Sequence, residues 1–194
     1  MGDKRAVSVI ERPTVRAHRE LAAVLREGDL AIDATAGNGH DTVFLAERVG
    51  ESGRVIAFDI QAEAIASSRV RADAAGLTSR IAFVRGSHTL IGEYVQPGTA
   101  AAVVFNLGYL PGGDHSVITR SGETLLALDR SLVALRQGGL LAIVCYPGHP
   151  GGDTESEDVV AWAKRLETAL CRTEIVRREG TLRPAPFLIL VKKH

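Results

Sequence analysis

The chain has 194 residues, with 23 lysines and arginines against 23 aspartates and glutamates, 45% hydrophobic residues and 24% charged. That is the balance of one ordinary globular domain, long enough to bury roughly 70% of its unfolded surface without a disulfide or metal staple. A net charge of zero argues against a protein whose affinity comes mainly from neutralising phosphates over a large surface, so any nucleic acid must be met by local patches.

Cys145 and Cys171 lie far apart, with no C-x-x-C or His-rich spacing nearby, so neither a disulfide framework nor a metal site is suggested. No secretory leader is visible, and the longest apolar stretches are far short of the roughly 18 residues that span a bilayer. The expectation is a cytoplasmic, non-membrane protein made of a single domain over residues 1–194.

In chain order, Val15 to Arg26 reads as a helix broken by Gly28, and Leu30 to Ala34 as a short apolar strand. Residues 40–49 follow as a helix, Arg54 to Phe58 as a second strand and Ala62 to Ala75 as an Ala-rich helix stopped by Gly76. Ile81 to Val84 and Ala100 to Phe105 are the third and fourth strands. Ser121 to Gln137 carries leucines at helical spacing and is closed by Gly138 and Gly139 in C-cap position. Leu140 to Cys145 is the fifth strand, and Thr154-x-x-Glu157 a capping box opening a helix with Val159, Ala163, Leu166 and Leu170 on one stripe. Two strands near Thr173 to Arg178 and Phe187 to Val191 close the chain.

Strands alternating with helices predict a parallel sheet covered on both faces, with right-handed crossovers. The last two strands have no helix between them, so they must form a hairpin that adds one antiparallel strand. This is the seven-stranded, Rossmann-like α/β pattern of class I methyltransferases.

The first strand runs into Asp33-Ala34-Thr35-Ala36-Gly37-Asn38-Gly39-His40-Asp41 before a helix starts. Gly37 and Gly39 let the backbone turn tightly and approach a ligand at the strand ends, where doubly wound folds bind nucleotides. Asp59, at the end of strand two, stands at the spacing where a carboxylate accepts ribose hydroxyls. Thr42 occupies the third glycine position of a dinucleotide turn, which disfavours a pyrophosphate. S-adenosylmethionine carries an ammonium instead, which Asp33 and Asp41 are placed to meet. Ser87 and His88, after strand three, lie where they could bracket the adenine.

Strand four delivers Asn106 and Tyr109 to the same rim, the first able to accept from an acceptor N–H and the second to stack on its ring. Asp114 and His115 follow, and strand five ends in Tyr146-Pro147-Gly148-His149-Pro150-Gly151-Gly152, a composition suited to a pocket wall.

DATAGNGHDTVFLA, AFDIQ, Ser87-His88, FNLGYLPGGDH and PGHPGG together closely resemble the MnmM family, over nearly the whole chain from about His18 to Val191. The resemblance implies an S-adenosylmethionine-dependent enzyme that converts 5-aminomethyl-2-thiouridine at the tRNA wobble position to 5-methylaminomethyl-2-thiouridine, acting on the anticodon arm as a homodimer. By matching motif positions, Asn38, Asp41, Asp59, Gln61, Ser87 and His88 would contact the cofactor, while Asn106 and Tyr109 would face the acceptor, with Tyr146 and His149 on the same rim. Asn106-Leu107-Gly108-Tyr109 stands where enzymes acting on base amines carry Asn-Pro-Pro-Tyr, so those enzymes are only an analogy.

The amine must lose a proton before it attacks, and Asp114, His115 and His149 are the candidates to take it. The rival readings are a methyltransferase for another nitrogen in rRNA, protein or a small amine, a dinucleotide enzyme on the same fold, and a noncatalytic tRNA binder. Basic residues gather at the two ends of the chain, Lys4, Arg5, Arg12, Arg16 and Arg19 near one, and Arg172, Arg177, Arg178, Arg183, Lys192 and Lys193 near the other.

Overall fold

A computed structural model describes residues 11–108, 121–148, 151–166, 168–177 and 184–194. The strands are β1 (Leu30–Asp33), β2 (Arg54–Asp59), β3 (Ile81–Arg85), β4 (Ala100–Leu107), β5 (Leu135–Cys145), β6 (Cys171–Val176) and β7 (Phe187–Lys193). They form one sheet in the order β3-β2-β1-β4-β5-β7-β6. β7 is antiparallel to both β5 and β6, and the other pairs are parallel, as the missing helix before the last strand requires.

Successive residues along a strand point to opposite faces, and this alternation builds two cores. On one face α1 (Pro13–Val24) and α2 (His40–Val49) bury Ala17, Leu21, Leu45 and Val49 against Ala31, Val104, Ala142 and Leu190, with α3 (Ala62–Ala74) beside α2. On the other, the short α4 (Ile91–Tyr94), α5 (Ser121–Ala134) and α6 (Gly152–Arg165) cover Ile32, Val103, Ile143 and Ile189. Among the described residues no helix is long and apolar enough to cross a membrane.

Three local expectations are corrected. α6 starts at Gly152 behind Gly151, which is left-handed at φ 81°, so Thr154 lies inside the helix and no capping box forms. Asp153 instead accepts the Gly148 amide at 3.0 Å and fastens the turn after β5. Leu170 lies beyond the helix and is exposed, whereas Trp162 is buried and donates to Asp129 on α5 at 2.8 Å. α5 ends at Ala134 rather than Gln137. Ala100 pairs with Leu135 and Ala102 with Leu140, so the residues between bulge out of β5, and left-handed Gly138 serves that bulge and not a helix cap.

Candidate active site

Parallel strands end at one rim, and here the ends of β1, β2, β3, β4 and β5 surround a cleft of about 800 Å³. The segment after β1 forms its floor. The Ala34 amide donates to Val104 O at 2.9 Å and the Ala36 amide to Phe58 O at 2.8 Å, so this turn is held by the strands on either side. Gly37 and Gly39 take φ 49° and 79°, a region that disfavours any side chain with a β-carbon. Asn38 is clamped to α3, its Oδ1 accepting from Ser67 Oγ at 3.2 Å and its carbonyl from Arg71 Nε at 2.6 Å.

Asp59 closes the turn from the side. Its Oδ2 accepts the Gly37 amide and its Oδ1 the Gln61 amide, both at 2.9 Å. Ser87 Oγ accepts from the Thr89 amide at 3.2 Å and caps the helical turn that starts at His88. The His88 ring is buried, meets Phe105 edge-on at 5.6 Å and hydrogen-bonds the Ala34 backbone, while its Nε2 has no partner among the described residues. Burial pushes its pKa down against the smaller opposing effects of that bond and of Glu123 and Asp59. The lowered pKa keeps the ring neutral, with Nε2 buried and unpartnered among the described residues.

Asn106 and Tyr146 form the opposite wall. The Asn106 amide nitrogen donates to Asp41 Oδ2, and the Tyr146 hydroxyl reaches Asn106 Oδ1 at 3.5 Å. Burial, and then the Asp41 carboxylate, raise the Tyr146 pKa, so it stays a neutral donor at physiological pH.

Gly37, Asn38, Asp41, Asp59, Gln61, Ser87 and His88 therefore share one cleft with Asn106 and Tyr146. Asp33 does not reach its wall. It is fully buried beneath the turn, accepting from Thr42 Oγ1 at 2.6 Å and the Thr35 amide at 3.1 Å, and Thr42 replaces a third glycine because its hydroxyl belongs in this buried pair. Gly39 likewise stands behind the wall as the residue that starts α2. Tyr109, Asp114, His115 and His149 lie outside the described residues.

Sequence reasoning missed the contribution of α1: Arg12, Thr14 and His18 also line the cleft, and so does Glu123 of α5. No local motif marks them, because they reach the site through helix packing. Cys145 is buried in β5 with its thiol pushed up to about 12, mainly by burial, so it supplies no thiolate at neutral pH.

Comparison with known proteins matches this geometry. Residues 55–192 fit the family model described as "Putative rRNA methylase". The chain is 37% identical to an Arabidopsis thaliana protein named "tRNA (mnm(5)s(2)U34)-methyltransferase, chloroplastic", across 94% of this chain and 70% of that one. Among solved structures, the "putative rRNA-methylase" of Clostridium thermocellum superposes with a TM-score of 0.93 at 35% identity, covering 95% of this chain and 99% of that one. A "putative methyltransferase" of Streptococcus mutans, solved in complex with SAH, gives 0.87 at 35% identity with the same coverage. With the seven-stranded fold and the glycine turn facing Asp59, these matches make the chain a member of the "Putative rRNA methylase" family, an MnmM-like group of methyltransferases.

Proposed function

We propose that this protein transfers the methyl group of S-adenosylmethionine to the amine of 5-aminomethyl-2-thiouridine at the wobble position of tRNA, giving 5-methylaminomethyl-2-thiouridine. The observation that carries the reading is the cleft itself, with a glycine turn tied to a ribose-type acid on one side and the Asn106 amide on the other. The name of the Arabidopsis relative supports the acceptor, and the SAH complex of the Streptococcus relative supports the cofactor.

The residues fit that cofactor. Asp59 has lone pairs beyond its two backbone bonds for hydroxyl donors, the neutral His88 ring lines the cleft with its Nε2 still unpartnered, and the left-handed glycines open the floor. S-adenosylmethionine supplies an electrophilic methyl on a sulfonium. The protein's tasks are alignment and the exclusion of water, since the amine is itself the nucleophile. At a lysine-like pKa of roughly 10, about one amine in a thousand is neutral near pH 7. Asn106 Oδ1 accepts from one amine N–H, and the half-buried Tyr146 wall disfavours the ammonium form by desolvation. As the C–N bond forms and the C–S bond breaks, the positive charge passes from sulfur to nitrogen, and a proton then leaves the amine.

The proposal extends to a cytoplasmic homodimer that grips the anticodon arm; the chloroplast assignment belongs to the plant relative. The description of the family favours one other acceptor, an amine in rRNA. Incubation with labelled S-adenosylmethionine and a mixture of rRNA and tRNA bearing 5-aminomethyl-2-thiouridine, followed by separation of the RNAs and mass analysis of their nucleosides, separates the two. Label in 5-methylaminomethyl-2-thiouridine is the expected result, and label confined to rRNA sinks the tRNA assignment.

A further inference from the structure

His18 sits on α1, stacked on Phe44 of α2 with ring centroids 3.8 Å apart and planes 3° from parallel. Its Nε2 is hydrogen-bonded to Asp41 Oδ1. The other oxygen of the same carboxylate, Oδ2, accepts from Asn106 Nδ2 at the end of β4. Three elements distant in sequence thus converge on one carboxylate at the cleft wall.

A carboxylate at neutral pH accepts and does not donate, and a carboxamide has one donating end and one accepting end. The bond to Asp41 therefore fixes which way the Asn106 amide lies: nitrogen toward Asp41, oxygen toward Tyr146 and the cleft. Only that orientation offers an acceptor to an amine N–H. The flipped amide would set its own N–H groups against those of the acceptor.

We propose that His18 is a positioning residue for methyl transfer: through its bond to Asp41 it holds the carboxylate that locks the Asn106 amide with Oδ1 facing the acceptor amine. The inference rests on the function proposed above. Asp41 lies in the first turn of α2, where unbonded backbone N–H groups and solvent compete for its oxygens. Its bond to His18 removes that freedom at Oδ1, and the stack on Phe44 removes the freedom of the imidazole. Any acid in this first turn would suit the helix; the imidazole on one oxygen and the carboxamide on the other are what give this one a second task.

The test uses His18→Ala, His18→Gln, Asn106→Ala and the His18→Ala/Asn106→Ala double variant. Single-turnover methylation of tRNA bearing 5-aminomethyl-2-thiouridine is read alongside S-adenosylmethionine affinity by calorimetry. NMR of asparagine-labelled protein follows the two Nδ2 protons of Asn106. His18→Ala is expected to lower the single-turnover rate between about tenfold and a hundredfold while changing cofactor affinity less than about threefold. It should add nothing to the loss in Asn106→Ala. His18→Gln, whose side-chain nitrogen takes the place of Nε2, should recover most of the rate. The Asn106 amide protons should exchange slowly in the wild type and rapidly in His18→Ala.

A wild-type rate in His18→Ala, a loss additive with Asn106→Ala, or an affinity loss as large as the rate loss overturns the proposal. If the wild type methylates no such tRNA, the functional reading fails. The amide protons then still decide the lock: exchange unchanged by His18→Ala overturns it, and exchange accelerated by His18→Ala upholds it.

Discussion

The Asp59 carboxylate accepts the Gly37 amide proton at 2.9 Å, so the acid that ends β2 also fastens the glycine turn that follows β1. With its second oxygen on the Gln61 amide, Asp59 organises the cleft floor before any ligand arrives.

Asp59→Ala should therefore act twice. Removing a charged acceptor for ribose hydroxyls should cost about 1.5–3 kcal/mol per bond in S-adenosylmethionine binding. Leaving the Gly37 and Gln61 amides without their partner should also lower the melting temperature. Calorimetry and thermal melts read the two effects separately. Unchanged affinity in the folded variant would remove the ribose assignment.

Gly39 stands so close to α3 that a β-carbon on it would lie 2.7 Å from both Ser68 Cα and Ser68 Oγ, and its φ of 79° is itself unfavourable for alanine. Gly39→Ala should destabilise the protein by about 2–4 kcal/mol, combining left-handed strain with overpacking. Gly76 has φ 70° with nothing within 4 Å of an added β-carbon, so Gly76→Ala should cost only the conformational part, about 1 kcal/mol. Equal losses from the two substitutions in denaturant melts would show that the contact with Ser68 contributes nothing.

The seven-stranded, mostly parallel sheet with its closing hairpin, and the arrival of Gly37 and Asp59 at one rim, were legible in the sequence because each depends on local signals. A strand reads from its own apolar run, and in a parallel sheet every strand end after a crossover arrives at the same rim. The start of α5 at Ser121 was legible, but its end and both ends of α6 were not. Gly138 could serve a helix end or a bulge, and the register of Leu135 with Ala100 decides it, while Gly151 is the left-handed residue that precedes α6. His18 was invisible for a different reason: its role depends on the packing of α1 beside α2, and its own neighbours in sequence carry no trace of Asp41. Asp33 showed the converse, since its place beside a glycine turn looks like a ligand contact, while its burial under Thr42 is settled only by packing.

That burial gives Asp33 a measurable signature. Desolvation first, and then the nearby Asp41 carboxylate, raise its pKa to about 7, against the lowering effect of the bonds from Thr42 and Thr35. An acid that binds its proton more tightly when folded makes stability fall as pH rises from its unfolded value near 4 to its folded value. Asp33→Asn keeps an oxygen acceptor and cannot ionise, so the fall between pH 4 and 7 should become shallower. Urea denaturation at a series of pH values reads this directly, and an unchanged slope would mean that Asp33 is ionised throughout.

A neutral protein that binds tRNA must do so through few contacts, and the structure reduces the number on offer. Arg16 reaches Glu174 at 2.7 Å, Arg19 reaches Glu11 and Glu20, and Lys193 caps the carbonyls of Leu132 and Leu135 at 2.8 Å or less. Arg177 lies over the Phe187 ring at 4.2 Å, and exposed Arg12 lines the cleft. About three to five phosphate contacts should then give a plot of log affinity against log salt with a slope between about −2 and −4.5. Arg12→Glu, beside the proposed acceptor, should make that slope shallower by about one and raise the Michaelis constant for tRNA. Arg19→Glu, by contrast, removes a guanidinium already engaged by two carboxylates and should change the slope little. If tRNA affinity is independent of salt, or if the Arg19 substitution matters as much as the Arg12 one, the phosphates are met elsewhere on the protein.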